Sequence, residues 1–177
     1  MVADFDMDTV LRFAREEPLK VAFGQGVRGE PVVWDMESDP HLKVIGATGS
    51  GKSVSMQSVL FASALAGHDI AVIDSIKGAA DFKFVEPYAK AIARTPFEGA
   101  GVIDRVYEEV LRRRDLNQEY GVGSYLELPE EVRPKPFILA IDEFTSATKL
   151  DTVPKRSSDV EMEAQRAELM ALNEAKL

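Results

Sequence analysis

The chain has no cysteine and only two histidines, His41 and His68, among its 177 residues. The first absence excludes disulfides, thiolate zinc sites, iron–sulfur clusters and cysteine nucleophiles. The second excludes a histidine-rich metal site. No apolar stretch approaches the ~20 residues that a membrane helix needs. The first residues also lack the basic-then-apolar pattern of a secretory signal. These absences predict a soluble, cytoplasmic chain with no membrane segment. Positive charge is scarce as well: 21 Lys and Arg stand against 30 Asp and Glu, for a net charge of −9. Nucleic-acid binders normally carry a basic footprint. Any DNA contact is therefore expected to be local or to come from other subunits.

What is present is ordinary globular material, with 45% apolar and 29% charged residues in one domain's length. Residues 6–17 read as a short helix that Pro18 stops. Leu19 to Phe23 and Pro31 to Trp34 read as two strands of a hairpin, with Gly24, Gly26 and Gly29 between them. Leu42 to Ile45 is a short apolar strand, followed by a glycine-rich loop and a helix over 52–66. That helix carries little charge, which predicts burial on most sides, and Gly67 is placed to cap its end. Ile70 to Ile73 and Ala89 to Ala93 are further strands. Thr95, Pro96 and Glu98 have the spacing of a helix start with a capping box. The helix they open has Ile103, Val106, Val110 and Leu111 as its expected apolar stripe and Gly121 as its end. Residues 121–136 are a loop, Phe137 to Ile141 the most apolar strand, and a last helix is expected from Ser158, with Glu161 in its capping position. Strands alternating with helices predict an α/β fold with a mostly parallel sheet and helices on both faces. Ligands in such folds bind at the carboxyl ends of strands, where Gly46, Asp74 and Asp142 lie.

Residues 46–53 read Gly46-Ala47-Thr48-Gly49-Ser50-Gly51-Lys52-Ser53. This is the G-x-x-x-x-G-K-[ST] pattern, between a predicted strand and a predicted helix as its mechanism demands. Glycines let successive N–H groups turn inward around phosphates, and the helix start, which includes Val54, adds its positive dipole end. Lys52 is the expected contact of the β- and γ-phosphates, and the Ser53 hydroxyl the expected magnesium ligand. After the strand ending at Ile141 comes the acidic pair Asp142-Glu143. Such a strand resembles a Walker B element, in which Asp142 holds magnesium through water and Glu143 deprotonates the attacking water. The pair favours an ATPase over a small GTPase, and no Asn-Lys-x-Asp guanine reader is present.

The flanks carry a resemblance. Asp39-Pro40-His41-Leu42, then Gly46 to Val54, then Glu109-Val110-Leu111-Arg112-Arg113-Arg114-Asp115-Leu116 with Glu119-Tyr120-Gly121-Val122, then Asp142-Glu143-Phe144 resemble the FtsK/SpoIIIE family of DNA-pumping ATPases over roughly residues 19–150. Residues 1–18 then form an N-terminal helix and 19–177 a partial P-loop ATPase domain. The resemblance implies a P-loop NTPase with a RecA-like three-layer core, ATP and Mg2+ as cofactors, and a ring of subunits, often six, around double-stranded DNA. Where the family often has Asp-Pro-Lys, this chain has Asp74-Ser75-Ile76-Lys77, with one residue inserted; no firm role follows for Asp74 or Lys77. The three arginines 112–114 read as a solvated helix face rather than a contact patch. The family's core also has a further strand between those of its two Walker motifs, a sensor residue on it, and an arginine finger. No segment of this sequence matches them. The expectation is a fragment or truncated product whose C-terminal core is missing, able to bind ATP with little turnover. Two other classes stay open at this point: a nucleotide-gated binding module without catalysis, and another P-loop enzyme such as a small-molecule kinase.

Overall fold

The computed structural model describes residues 6–144 and 160–175. Its elements in chain order are α1 (Met7–Glu16), β1 (Lys20–Gln25), β2 (Pro31–Asp35), α2 (Lys52–Leu65), β3 (Asp69–Ile73), a 3-10 turn (Ala80–Val85), β4 (Ala89–Ala93), α3 (Pro96–Tyr120), a second 3-10 turn (Tyr125–Glu127), β5 (Phe137–Ile141) and α4 (Val160–Glu174). β1 and β2 form an antiparallel hairpin with a bulge between Ala22 and Gly24. The other strands form one sheet in the order β4-β3-β5. It is parallel: Asp69 N–H, at the start of β3, donates to Pro136 O just before β5, and Asp142 N–H, just after β5, donates to Ile73 O at the end of β3. The α/β class expected from the sequence is the one observed.

Two compact units divide the chain. One holds the described residues up to Ala71, with Asp81–Lys90 and Lys135–Ala140. Val10, Val21, Val59 and Ala62 form its buried cluster, against which Phe23, Trp34 and Met36 pack. Helix α1, the hairpin and α2 thereby share one core, each fully buried Val contributing about 1.5–3 kcal/mol. Helix α2 buries one face only: Val59, Leu60, Ala62 and Ser63 are inside, whereas Val54, Phe61 and Leu65 are exposed. Burial on most sides was expected; low charge alone does not say which faces find a partner. The end of α2 follows the sequence closely. Gly67 has φ 75°, its N–H donates to Ala64 O, and His68 N–H donates to Ser63 O, the double bond of a Schellman motif.

The other unit holds Val72–Ala80, Ala91–Pro134 and the described residues from Ile141 on. Thr95 caps α3 by accepting from Glu98 N–H at 3.3 Å, and Glu98 reaches back to Arg94 N–H at 2.5 Å. The reciprocal bond falls one residue before the usual capping-box partner. Gly121 ends the helix with φ 66°. The stripe is rotated from the expected one. Gly99 and Val102 are buried, while Ile103 and Val110 are 49% and 54% exposed. The cause is a close approach: a Cβ on Gly99 would lie 3.3 Å from Ile73 Cγ2. The helix turns Gly99 toward β3, and Ile103 and Val110 face outward.

The main difference from the sequence reading is Leu42 to Ile45. These residues form no strand, and Ile45 is 78% exposed. Strand β5 pairs with β3 and ends the sheet. An apolar run becomes a strand only when a neighbour satisfies its N–H and C=O groups. Among the described residues none does so for 42–45. The expected start of the last helix at Ser158 lies outside the described residues, as do residues 145–159 in general.

Candidate functional site

The phosphate loop lies in the first unit. Trp34 Nε1–H donates to Asp39 O at 2.6 Å, and Asp35 Oδ1 accepts from Glu37 N–H at 3.0 Å, which folds the turn leading to it. Gly46 to Ser50 are exposed, and Ser50 N–H donates to Ala47 O at 3.1 Å. Lys52 folds back over the loop, its Nζ donating to Ala47 O at 3.2 Å. Lys52, Ser53 and Val54 form the first turn of α2. The residue before them, Gly51, has φ 92° and ψ 13°, a left-handed conformation that a side chain would strain. It provides no side-chain cap, and the first turn has no acidic residue. By contrast, Asp6 caps α1 and Thr95 caps α3. Neither the N-cap residue nor an acidic residue of the first turn thus covers the positive dipole end of α2. The structure places all nine expected loop residues, 46–54, on this one turn.

The acidic pair lies in the second unit. Asp142 follows β5 and is 6% exposed. Its Oδ1 accepts from Glu143 N–H at 3.0 Å, and its Oδ2 receives Lys77 Nζ at 3.4 Å. Glu143 is exposed and has φ 51°. A non-glycine residue there carries strain that surrounding structure must hold, a condition common at working sites. Asp74, fully buried at the end of β3, is the centre of the adjacent loop. Its Oδ1 accepts from Ile76 N–H at 3.2 Å and Lys77 N–H at 2.9 Å, and its Oδ2 from Ala79 N–H at 3.1 Å. The sequence left Asp74 and Lys77 without a role; an Asp followed by a Lys after a strand, one residue further apart than in the family, was the available signal.

The arginines 112–114 all have acidic partners. Glu109 accepts from Arg112 Nε at 2.7 Å and Arg113 Nε at 2.7 Å, and Arg114 pairs with Asp115 at 2.8 Å. The Arg112 guanidinium, followed by Arg113, holds the Glu109 carboxyl down at about 2. Arg113 also lies over the Tyr125 ring, 5.9 Å from its centroid.

A glycine loop opening a helix without a side-chain cap, and an acidic pair after a parallel strand, are set in a chain with known relatives. Residues 11–146 match the model of the FtsK/SpoIIIE family. The chain belongs to that family. It is 32% identical to the DNA translocase FtsK of Listeria monocytogenes over 88% of its own length and 22% of the relative's. With that of Helicobacter pylori strain J99 it shares 31% over 70% of its length and 16% of the relative's. It thus spans about a fifth of these relatives. Among solved structures it is similar to the pCW3 conjugation coupling protein TcpA in a monomer form with ATPγS, at TM-score 0.67 and 23% identity, over 93% of this chain and 45% of that one. It is also similar to the cytoplasmic domain of the type VII secretion ATPase EccC of Thermomonospora curvata, at TM-score 0.57, 23% identity, and 90% and 20% coverage. These likenesses carry the P-loop ATPase fold.

Proposed function

We propose that the chain is the ATP-binding and ATP-hydrolysing part of a double-stranded DNA translocase. The single observation that carries this is the uncapped phosphate loop at 46–54 in a chain of the FtsK/SpoIIIE family. Loop N–H groups and the start of α2 take the phosphates, and Lys52 moves from Ala47 O to the β- and γ-oxygens. The chain's donors suit magnesium, a hard cation that prefers oxygen and keeps several waters. The Ser53 hydroxyl and the buried Asp142 carboxylate would hold it, and when bound it neutralises phosphate charge. Glu143 takes the proton from the attacking water. A neighbouring subunit contributes the arginine that stabilises the transferring phosphoryl group, a contribution of about 10³–10⁵ in rate. Alone, the chain binds ATP and turns it over slowly. In the ring, often of six, that we infer for the assembly, hydrolysis drives loops along the DNA backbone, with sequence contributing little. We place this work in the cytoplasm, where ATP is supplied; among the described residues no helix is long and apolar enough to cross a membrane.

The test is ATP hydrolysis by the chain with and without duplex DNA, with Glu143→Gln as the blank. We expect both proteins to bind a fluorescent ATP analogue equally. Hydrolysis should fall in the variant by about 10²–10⁴ where turnover is measurable. Lys52→Ala should weaken binding about 10–100-fold, the loss of one or two charge-assisted hydrogen bonds. Full nucleotide affinity in Lys52→Ala would sink the assignment. Turnover that needs a small acceptor and ignores DNA would favour a kinase.

A further inference from the structure

The loop after β3 places a lysine on the carboxylate that the function assigns to magnesium. We propose that Lys77 is the resident counter-ion of Asp142: it holds the metal's seat in the unloaded protein and leaves when nucleotide brings the metal. This rests on the nucleotide reading above and adds a control step to it.

The argument starts with Asp142. Its side chain is 8% exposed, and a buried carboxylate is costly to keep ionised without a cation or several donors. It has one N–H donor, from Glu143, on Oδ1. On Oδ2 it has the Lys77 ammonium. Among the described residues no other cation forms an ion pair with it. The position of Lys77 is set by backbone. Asp142 N–H bonds Ile73 O, so the ends of β5 and β3 share a ladder. One residue past Ile73, the buried Asp74 carboxylate gathers the N–H groups of Ile76, Lys77 and Ala79. Gly78 and Ala79 both adopt left-handed φ values, 62° and 59°, which closes the loop around that carboxylate. The inserted residue of Asp74-Ser75-Ile76-Lys77 is absorbed in this turn, and Lys77 still reaches Asp142.

The same geometry makes the contact reversible. At 3.4 Å it is long beside the 2.7–2.9 Å usual for charge-assisted bonds. The Lys77 side chain is 40% exposed, so its ammonium regains water on leaving. Magnesium carries twice the charge, and through a bound water it would offer Asp142 a donor in place of the ammonium. When magnesium arrives with nucleotide it therefore outcompetes Lys77, whose release frees the Ser75–Ala79 loop from Asp142. A lysine that instead served as a phosphate ligand would show a different signature.

The experiment titrates Mg2+ into the chain with a fixed amount of fluorescent ATP analogue, from a chelated baseline. Lys77→Met should lower the half-saturating Mg2+ about threefold to tenfold, the effect of removing one partly exposed competing charge. Affinity at saturating Mg2+ should stay the same. Lys77→Arg should restore the wild-type midpoint. On an Asp142→Asn background, Lys77→Met should change nothing further. An unchanged midpoint in Lys77→Met overturns the proposal, and so does a loss of nucleotide affinity at saturating Mg2+. Thermal unfolding without nucleotide, as a double-mutant cycle of Lys77→Met and Asp142→Asn, reads the pair directly. Non-additive shifts support it, and additive shifts overturn it. A wild type that binds no nucleotide overturns the nucleotide reading instead, and the cycle then decides the ion pair by itself.

Discussion

At the scale of residues, His68 shows how a turn can create a titrating site. The Schellman motif after α2 carries its ring inside, where it is 4% exposed. Nε2–H donates to Pro18 O at 2.6 Å, and Nδ1 has no partner among the described residues. Burial pushes its pKa below the usual histidine value, against the opposing pull of the Pro18 carbonyl and Asp69. The unfolded chain therefore takes up this proton more readily than the folded one. Stability should be full above about pH 6.5 and fall as pH drops below it. Urea unfolding at about pH 7.5 and 5.5 measures this, and His68→Gln should flatten the difference. Glu109 acts in a lower window. With its carboxyl held at about 2 by Arg112 and Arg113, its contribution is present above the ordinary value of 4.5 and is lost as pH falls toward 2. Glu109→Gln should remove that part of the acid transition. Neither effect was legible in the sequence. His68 looked like any residue after a cap, and the arginines looked like a solvated face until Glu109 was seen between two of them.

At the scale of elements, α3 is the instructive case. Its cap residues, first-turn proline and terminal glycine were all readable, because each acts on backbone groups within a few positions. Its rotation was not. Periodicity gave one stripe, Ile103, Val106, Val110 and Leu111, and the close approach of Gly99 to Ile73 turned another edge inward. Gly99→Ala should be nearly neutral. The gain in helix propensity, about 1 kcal/mol, offsets a methyl at 3.3 Å from Ile73 Cγ2. Gly99→Leu should cost about 1–3 kcal/mol by overpacking. Thermal unfolding of both variants checks this; equal destabilisation would mean that the approach does not set the rotation. Residues 42–45 make the complementary point. Their composition is that of a buried strand, yet strand formation depends on a ladder partner that composition does not supply.

At the scale of the whole molecule, charge sets the terms of the proposed DNA contact. A net charge of −9 opposes a polyanion, and the three arginines 112–114 are matched by Glu109 and Asp115. One chain should therefore hold duplex DNA poorly. At about 0.15 M salt, the anisotropy of a labelled duplex should stay flat as nucleotide-free chain is added. It should rise only under conditions that also increase the sedimenting mass, with ATP analogue present. Tight binding by a demonstrated monomer would refute a subunit-dependent contact.

The sequence by itself determined the motif chemistry and the local backbone. The phosphate loop at 46–54, the acidic pair after β5, the hairpin and the helix ends all depend on residues near one another in the chain. Family membership was legible for the same reason, since the matching segments are short and ordered. Tertiary structure decided what needs a distant partner: which face of α3 is buried, that 42–45 pairs with nothing described, and that Lys77 meets Asp142 across 65 positions. Those outcomes follow from packing and ladder pairing between segments far apart in sequence, which no local pattern encodes.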